Sequence, residues 1–261
     1  MNIVVCLKQV PGTTDVKIDP KTNTLVRQGI KNIVNPFDTY ALEEGVRVKE
    51  RYGGRVTAIS MGPAQAEEVL REAIATGADD AVLLSDSAFA GADTLATAYT
   101  LARAIDKLEQ YGLIICGRQT IDGDTGQVGP ELAEMLKLPF VAYVSKLDEI
   151  SNGYMRVKRM VEDGYEVIET PLPAVLTVVK EINVPRLPSL RGLAKAKSVV
   201  ISVWTAQELG VDNNMVGLSG SATRVIEIFF PQRVRRGEIF QGELESQVSS
   251  LVDKLREAKI V

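Results

Sequence analysis

Short apolar runs alternate with helical stripes of apolar residues through the first half of the chain. Residues 3–7 form a continuous apolar run of strand length, the pattern of a strand covered on both faces. Val16-Lys17-Ile18 and Thr24-Leu25-Val26 flank a turn-forming stretch at 19–23, which predicts a small hairpin. Asn35-Pro36-Phe37-Asp38 then opens a helix: Asn35 is the expected cap, Pro36 suits the first helical position, and Asp38 complements the positive end of the dipole. Phe37, Ala41, Gly45, Val48 and Tyr52 share one face of it, and Gly53-Gly54 stops it. The unit repeats. A strand over 55–61 leads to a helix starting at Gly62-Pro63, with Ala66, Val69, Leu70, Ala73 and Ile74 on one face and Gly77 at its end. Strands at 81–84 and 113–116 enclose an alanine-rich helix over 94–110. A glycine-rich loop then leads into a helix at 130–136.

This alternation predicts an α/β fold with a doubly wound, mostly parallel sheet. Beyond Phe140 the pattern changes: 154–160 and 165–170 read as an antiparallel hairpin at a sheet edge, and 174–179 as a buried strand. From Pro185 the chain reads as irregular and rich in proline and basic residues. Leu244, Val248, Leu251, Val252 and Leu255 then fall on one face of a last helix. The expected organisation is an α/β domain over 1–190 and an extended C-terminal arm over 191–261. The arm has too little apolar content for its own core, and is expected to pack on something else.

Composition narrows the chemistry. The 261 residues include no histidine, which removes Ser-His-Asp and Cys-His nucleophile pairs, HExxH zinc sites and His-ligated haem. Remaining acid–base groups do not titrate near neutrality unless their surroundings shift them. A binding protein, or one whose cofactor carries the reaction, is favoured. A net charge of −4 argues against nucleic acid. Two cysteines, Cys6 and Cys116, are too few for a disulfide framework. The N-terminal apolar run is too short for a signal sequence, and no run reaches the ~18 apolar residues of a membrane span. A cytoplasmic protein without a metal site is expected.

The strongest local feature is Gly117-Arg118-Gln119-Thr120-Ile121-Asp122-Gly123-Asp124-Thr125-Gly126-Gln127-Val128-Gly129. It joins a strand to a helix, where α/β sheets bind ligands, and is longer than the roughly 2–6 residues usual there. Glycines admit close approach of phosphate, and the helix N-terminus favours anions, although neither a Walker loop nor G-x-G-x-x-G is present. A carboxylate 4 Å from a phosphate charge costs about 4 kcal/mol at an effective dielectric of 20. Asp122 and Asp124 are therefore expected to face ribose or ring donors, leaving phosphate to backbone amides, Thr125 and Arg118. A structural surface loop is the alternative. Cys6 and Met61 end strands at the same edge and are otherwise plain buried residues. The runs Arg156-Lys158-Arg159 and Arg233-Arg235-Arg236 read as solvated faces, and Trp204 as a packing anchor.

Val5-Cys6-Leu7-Lys8-Gln9-Val10-Pro11, Asn35-Pro36-Phe37-Asp38, Met61-Gly62-Pro63-Ala64-Gln65 and the 117–129 loop together resemble the β (small) subunit of electron transfer flavoproteins. Residues 157–177, Pro185-Arg186 onward to Lys197, and Gly217-Leu218-Ser219-Gly220-Ser221 continue the resemblance, which spans nearly the whole chain. It implies a heterodimer with an α subunit that holds an electron-transferring FAD and is wrapped by the C-terminal arm. In the simple branch of that family the β subunit binds structural AMP. In the bifurcating branch a second FAD takes that place and receives hydride from NADH. Its electrons then divide between an acyl-CoA dehydrogenase-type partner, reached through the α-subunit FAD, and ferredoxin or flavodoxin. Ile121 to Pro130, and Asp38 followed by Tyr40-Ala41-Leu42-Glu43-Glu44, look like the bifurcating form.

Carried over by position, Cys6, Asn35, Pro36, Phe37, Asp38 and Met61 are implied to line the adenosine half. Gly117, Arg118, Gln119, Thr120, Ile121, Asp122, Gly123, Asp124, Thr125, Gly126, Gln127 and Val128 are implied to hold the pyrophosphate and ribityl region. Leu187, Pro188, Ser189, Leu190, Arg191, Gly192 and Leu193 fall where the family docks its dehydrogenase, with Leu190 as the inserting residue. Three positions depart from the pattern: Leu187 replaces an aromatic, Ala222 a proline and Gly126 an alanine. A single-electron relay carrying AMP, or a stand-alone nucleotide sensor, are the competing readings.

Overall fold

The structure, a computed structural model, describes residues 1–12, 17–19, 24–26, 31–108, 110–226 and 237–261. The chain forms two units, Met1–Ile226 and Glu227–Val261. The first is built on β1 (Asn2–Cys6), whose apolar run is buried on both sides. Successive side chains of a strand face opposite ways. Accordingly, Ile3, Val5 and Leu7 join one apolar cluster, while Val4 and Cys6 join the other. Helices α1 (Pro36–Tyr52) and α2 (Glu67–Thr76) cover the first side, and α3 (Thr94–Lys107) and α4 (Val128–Leu136) the second. Fully burying one Ile or Leu contributes roughly 1.5–3 kcal/mol, so two such clusters make the sheet the centre of stability.

In chain order the other strands are β2 (Gln9–Pro11), β3 (Lys17–Asp19), β4 (Thr24–Val26), β5 (Asn32–Val34), β6 (Arg55–Met61), β7 (Asp80–Leu84), β8 (Leu113–Gly117), β9 (Phe140–Ser151), β10 (Tyr154–Val161), β11 (Gly164–Pro171), β12 (Ala174–Val178) and β13 (Ser202–Trp204). Eight of them and β1 make one nine-stranded sheet in the order β11-β10-β9-β12-β8-β1-β6-β7-β13. Its pairings are parallel from β9 to β13, and β10 and β11 add the antiparallel edge hairpin. The expected α/β class and edge hairpin are both present. β3 and β4 pair antiparallel as the predicted small hairpin; Val16 and the turn residues 20–23 lie outside the described residues.

Three local expectations are corrected. Asn35 occupies the cap position of α1, yet its side chain makes no capping bond, because it is committed to the loop after β8. The helix expected from Gly62-Pro63 begins as a 3₁₀ turn at Ala64–Ala66, with α2 proper starting at Glu67. The stretch from Pro185, expected to be irregular, contains α5 (Leu190–Ser198), β13 and α6 (Ala206–Leu209). These elements are too short to show a periodicity, and neighbours supply their order: β13 pairs with β7, and Arg71 on α2 donates to the Ala196 and Val199 carbonyls. Trp204 packs half-buried on the second apolar cluster, with the Lys107 ammonium 5.0 Å from its ring centre.

The second unit contains α7 (Leu244–Glu257), which has no buried residue. Leu244, Val248 and Leu251 are exposed on it. The run Arg233, Arg235, Arg236 lies outside the described residues.

Candidate functional site

After β1 the chain moves outward through β6 to β7, then returns to place β8 on the other side of β1. Ligands of open α/β sheets bind beside the carboxyl ends of the strands where the order reverses. At that point Cys6 and Cys116 are register partners. A cavity of about 320 Å³ opens above them, within the range of small-molecule sites.

Of the residues singled out by sequence, Cys6, Asp38, Met61, Gly117, Arg118, Gln119, Thr120, Gly123, Thr125, Gly126, Gln127 and Val128 line this cavity. Asn35, Pro36, Phe37, Ile121, Asp122 and Asp124 stand behind or outside its wall. Sequence reasoning missed Leu7, Lys8 and the start of α3 with the residues just before it, where Ala92, Asp93, Thr94, Thr97 and Leu101 add to the lining. A signal for that helix start was present: Asp93 before an alanine-rich run is a cap pattern, and its carboxylate accepts from the Ala96 N–H at 3.1 Å. The same carboxylate accepts from the Thr223 N–H and hydroxyl, and Ser221 Oγ accepts from the Asp93 N–H. This explains the Gly217–Ser221 segment, which fastens the start of α3. Leu187, Pro188, Ser189, Leu190, Arg191, Gly192 and Leu193 line no part of the cavity.

Asn35 organises the loop. Fully buried, it donates to Asp38 Oδ1 and to the Gln119 carbonyl, both at 2.9 Å, and accepts from the Ile121 N–H at 3.1 Å. Asp38 also accepts from the Lys8 N–H at 2.8 Å. Burial nevertheless dominates and pushes its pKa up to about 7, against the bonds from Asn35, Lys8 and Gly117. Its expected part in complementing the helix dipole gives way to that of a buried group half-neutralised near neutral pH.

The loop carboxylates find partners inside the protein. Lys8 Nζ reaches both Asp122 oxygens at 2.8 and 2.9 Å. Burial works to raise Asp122, but Lys8, Thr120 and the Gly123 N–H together hold it below its ordinary value. Asp124 accepts from Gln119 Nε2. The loop glycines serve different ends. A Cβ at Gly117 would strike the Asp38 carboxyl and the Phe37 backbone, and one at Gly129 the Thr177 methyl. Close packing therefore requires both, while Gly126 adopts a positive φ of 64°.

Arg118 is the cation of the cavity wall. Its guanidinium lies 4.9 Å from the Phe37 ring centre, a favourable stacking geometry. Its Nε is buried and has no hydrogen-bond partner among the described residues. That Nε is shielded from the cavity, so what Arg118 brings to the wall is the positive charge of the rest of its guanidinium, a group whose planar fork suits phosphate or carboxylate. Gln127 leaves the first turn of α4 without a side-chain cap, and backbone N–H groups there add to the same preference. The Cys116 thiol is held well above its usual range by its hydrogen bond with Cys6 and by burial, so it remains a thiol with no nucleophilic part. Among the described residues, no cluster of three or more carboxylate or cysteine side chains could hold a metal, and no helix is long and apolar enough to cross a membrane.

The chain matches the electron transfer flavoprotein domain model over residues 22–209. It is 52% identical to the electron transfer flavoprotein subunit beta of Thermoanaerobacterium thermosaccharolyticum, over the whole of both chains. It is also 48% identical to the caffeyl-CoA reductase-Etf complex subunit CarD of Acetobacterium woodii, again over both full lengths. Protein FixA of Azotobacter vinelandii is 42% identical, covering 93% of this chain and 89% of its own. These matches, on a chain whose α/β sheet opens a cavity at its switch point, place it in the electron transfer flavoprotein family, as a β subunit.

Proposed function

We propose that this β subunit serves an electron-bifurcating flavoprotein and holds FAD in the cavity at the β1/β8 edge. The observation that carries the reading is Arg118: a guanidinium stacked on Phe37 in the cavity wall, beside an uncapped helix start. An anion is favoured there, and the pyrophosphate of a dinucleotide supplies it. When bound, FAD would accept hydride from NADH and pass the electrons on, one through the α-subunit FAD to an acyl-CoA dehydrogenase-type flavoenzyme and one to ferredoxin or flavodoxin. Full-length similarity to CarD, named as a subunit of a caffeyl-CoA reductase-Etf complex, supports the acyl-CoA side of this reading.

The chain's own residues bind and orient. Cys6, Met61 and Leu101 give the cavity an apolar floor and wall suited to a ring. Lys8 neutralises Asp122, so the carboxylate at the loop does not repel phosphate. Asp38, with its pKa near 7, adds less negative charge than an ordinary aspartate would. No protein base is required, which suits a chain without histidine. The cavity is lined from within residues 1–190; residues 187–193, across the boundary, supply Leu190 and its neighbours for docking, and the arm over 191–261 supplies α7 for the α subunit. We place the complex in the cytoplasm.

Anaerobic titration of the purified αβ heterodimer with NADH tests the proposal. Bleaching of flavin absorbance by stoichiometric NADH is expected. No bleaching by NADH, with full bleaching by a reduced acyl-CoA dehydrogenase, would point to the single-electron relay with AMP.

A further inference from the structure

Immediately before Leu187, the segment that leads into α5 is fastened to α1 by the Arg186 side chain. Its Nε donates to Glu43 Oε2 at 2.8 Å, and its two terminal nitrogens reach Glu50 at 2.6 and 2.9 Å. The Arg186 N–H also donates to Glu43 Oε2, at 3.1 Å, which fixes the backbone immediately before Leu187. Glu43 is almost wholly buried, and a buried carboxylate is tolerated only when paired. Glu43 and Glu50 lie two turns apart on α1, so a single planar fork grips the helix at two points. Nearby, Asn183 donates to the Tyr40 carbonyl and to Glu44.

The far end is fastened as well. Gly192 packs so closely on the Ala75 carbonyl that a Cβ has no room. Lys195 Nζ donates to the Ala78 and Asp79 carbonyls at 3.0 and 3.1 Å. Between these two anchorages Leu187 and Leu190 are each 88% exposed. Ordering a free loop on binding costs conformational entropy for each side chain it immobilises. Here that ordering is already done.

We propose that Arg186 is a positioning residue for partner docking: by clamping the chain to Glu43 and Glu50 it holds Leu187 and Leu190 ready for the partner. This rests on the reading of residues 187–193 as the docking segment, and the test separates the two. Arg186→Gln, Leu190→Ala and the double variant are made in the full αβ heterodimer. KM and kcat are measured with a purified short-chain acyl-CoA dehydrogenase reduced by butyryl-CoA, and amide exchange over 187–192 is followed without the dehydrogenase. Arg186→Gln is expected to raise KM about tenfold, the scale of losing one anchor, with kcat within about twofold and faster exchange at 187–192. The double variant is expected to fall short of the sum of the two single effects, because Arg186 acts in part through Leu190, and residues that act through one another do not add. Unchanged exchange and KM in Arg186→Gln, or full additivity in the double variant, would overturn the inference. Should Leu190→Ala leave KM unchanged while Arg186→Gln still loosens the segment, the docking reading fails and the inference falls with it. If Arg186→Gln does not fold, Glu50→Gln makes the same comparison with a smaller expected effect, since it leaves the three bonds to Glu43 in place.

Discussion

Asn35 and Asp38 carry more of the site than a helix start usually does. Both residue types and their spacing invited a capping interpretation, and the sequence offered no sign that Asn35 reaches 84 residues ahead to Gln119. Long-range bonds of this kind depend on the sheet bringing two segments together, which local pattern does not encode. Asn35→Ala removes three bonds and strands the Ile121 N–H, a loss of about 1–3 kcal/mol. Faster amide exchange at 119–121 and weaker nucleotide retention are the expected result. Asp38 gives a pH signature. Its folded pKa of about 7 lies above the ordinary 3.8, so between those values the folded protein holds a proton the unfolded chain has released. Stability from this group is therefore complete at low pH, falls as pH rises toward 7, and is level above it, a span of about 4 kcal/mol. Thermal melts of the nucleotide-free heterodimer from pH 5 to pH 8 should fall more for wild type than for Asp38→Asn. Equal slopes would show that Asp38 ionises normally.

At the scale of elements, the strands and helices that build the site were legible because their signals are long and periodic: residues 3–7, the α1 stripe and the alanine-rich α3. α5, β13 and α6 were not, being three to nine residues long and ordered by what they touch, whereas the longer α7 was. The loop from Gly117 to Gly129 was legible as a long connection at the sheet's carboxyl edge, where most of it lines the cavity, while the reason for each glycine was not. Gly117 and Gly129 are demanded by the Asp38 and Thr177 side chains, whereas Gly123 has only Thr120 Oγ1 near it, at 3.6 Å. Gly117→Ala should therefore cost about 1–3 kcal/mol by overpacking, and Gly123→Ala less than about 0.5 kcal/mol. Chemical denaturation of the two variants distinguishes this from a loop in which both glycines serve phosphate alone.

At the scale of the whole molecule, the absence of histidine fits a protein whose part is to hold and place a cofactor. The parallel sheet supplies a cavity at its switch point, and α1 runs from that cavity, at Asn35 and Asp38, to the Arg186 clamp at Glu43 and Glu50. In the second unit, α7 exposes Leu244, Val248 and Leu251 without burying any residue. An apolar helix face of that kind calls for a partner, and we assign it to the α subunit. Leu251→Asp should reduce the α subunit recovered with a tagged β subunit, while Lys254→Gln, on the charged side of the helix, should not. The central claim concerns what fills the cavity, and direct cofactor analysis reaches it most simply. The αβ heterodimer is purified, its nucleotides are released by denaturation, and FAD and AMP are counted per heterodimer. Two FAD and no AMP are predicted; one FAD with one AMP would contradict the bifurcating assignment.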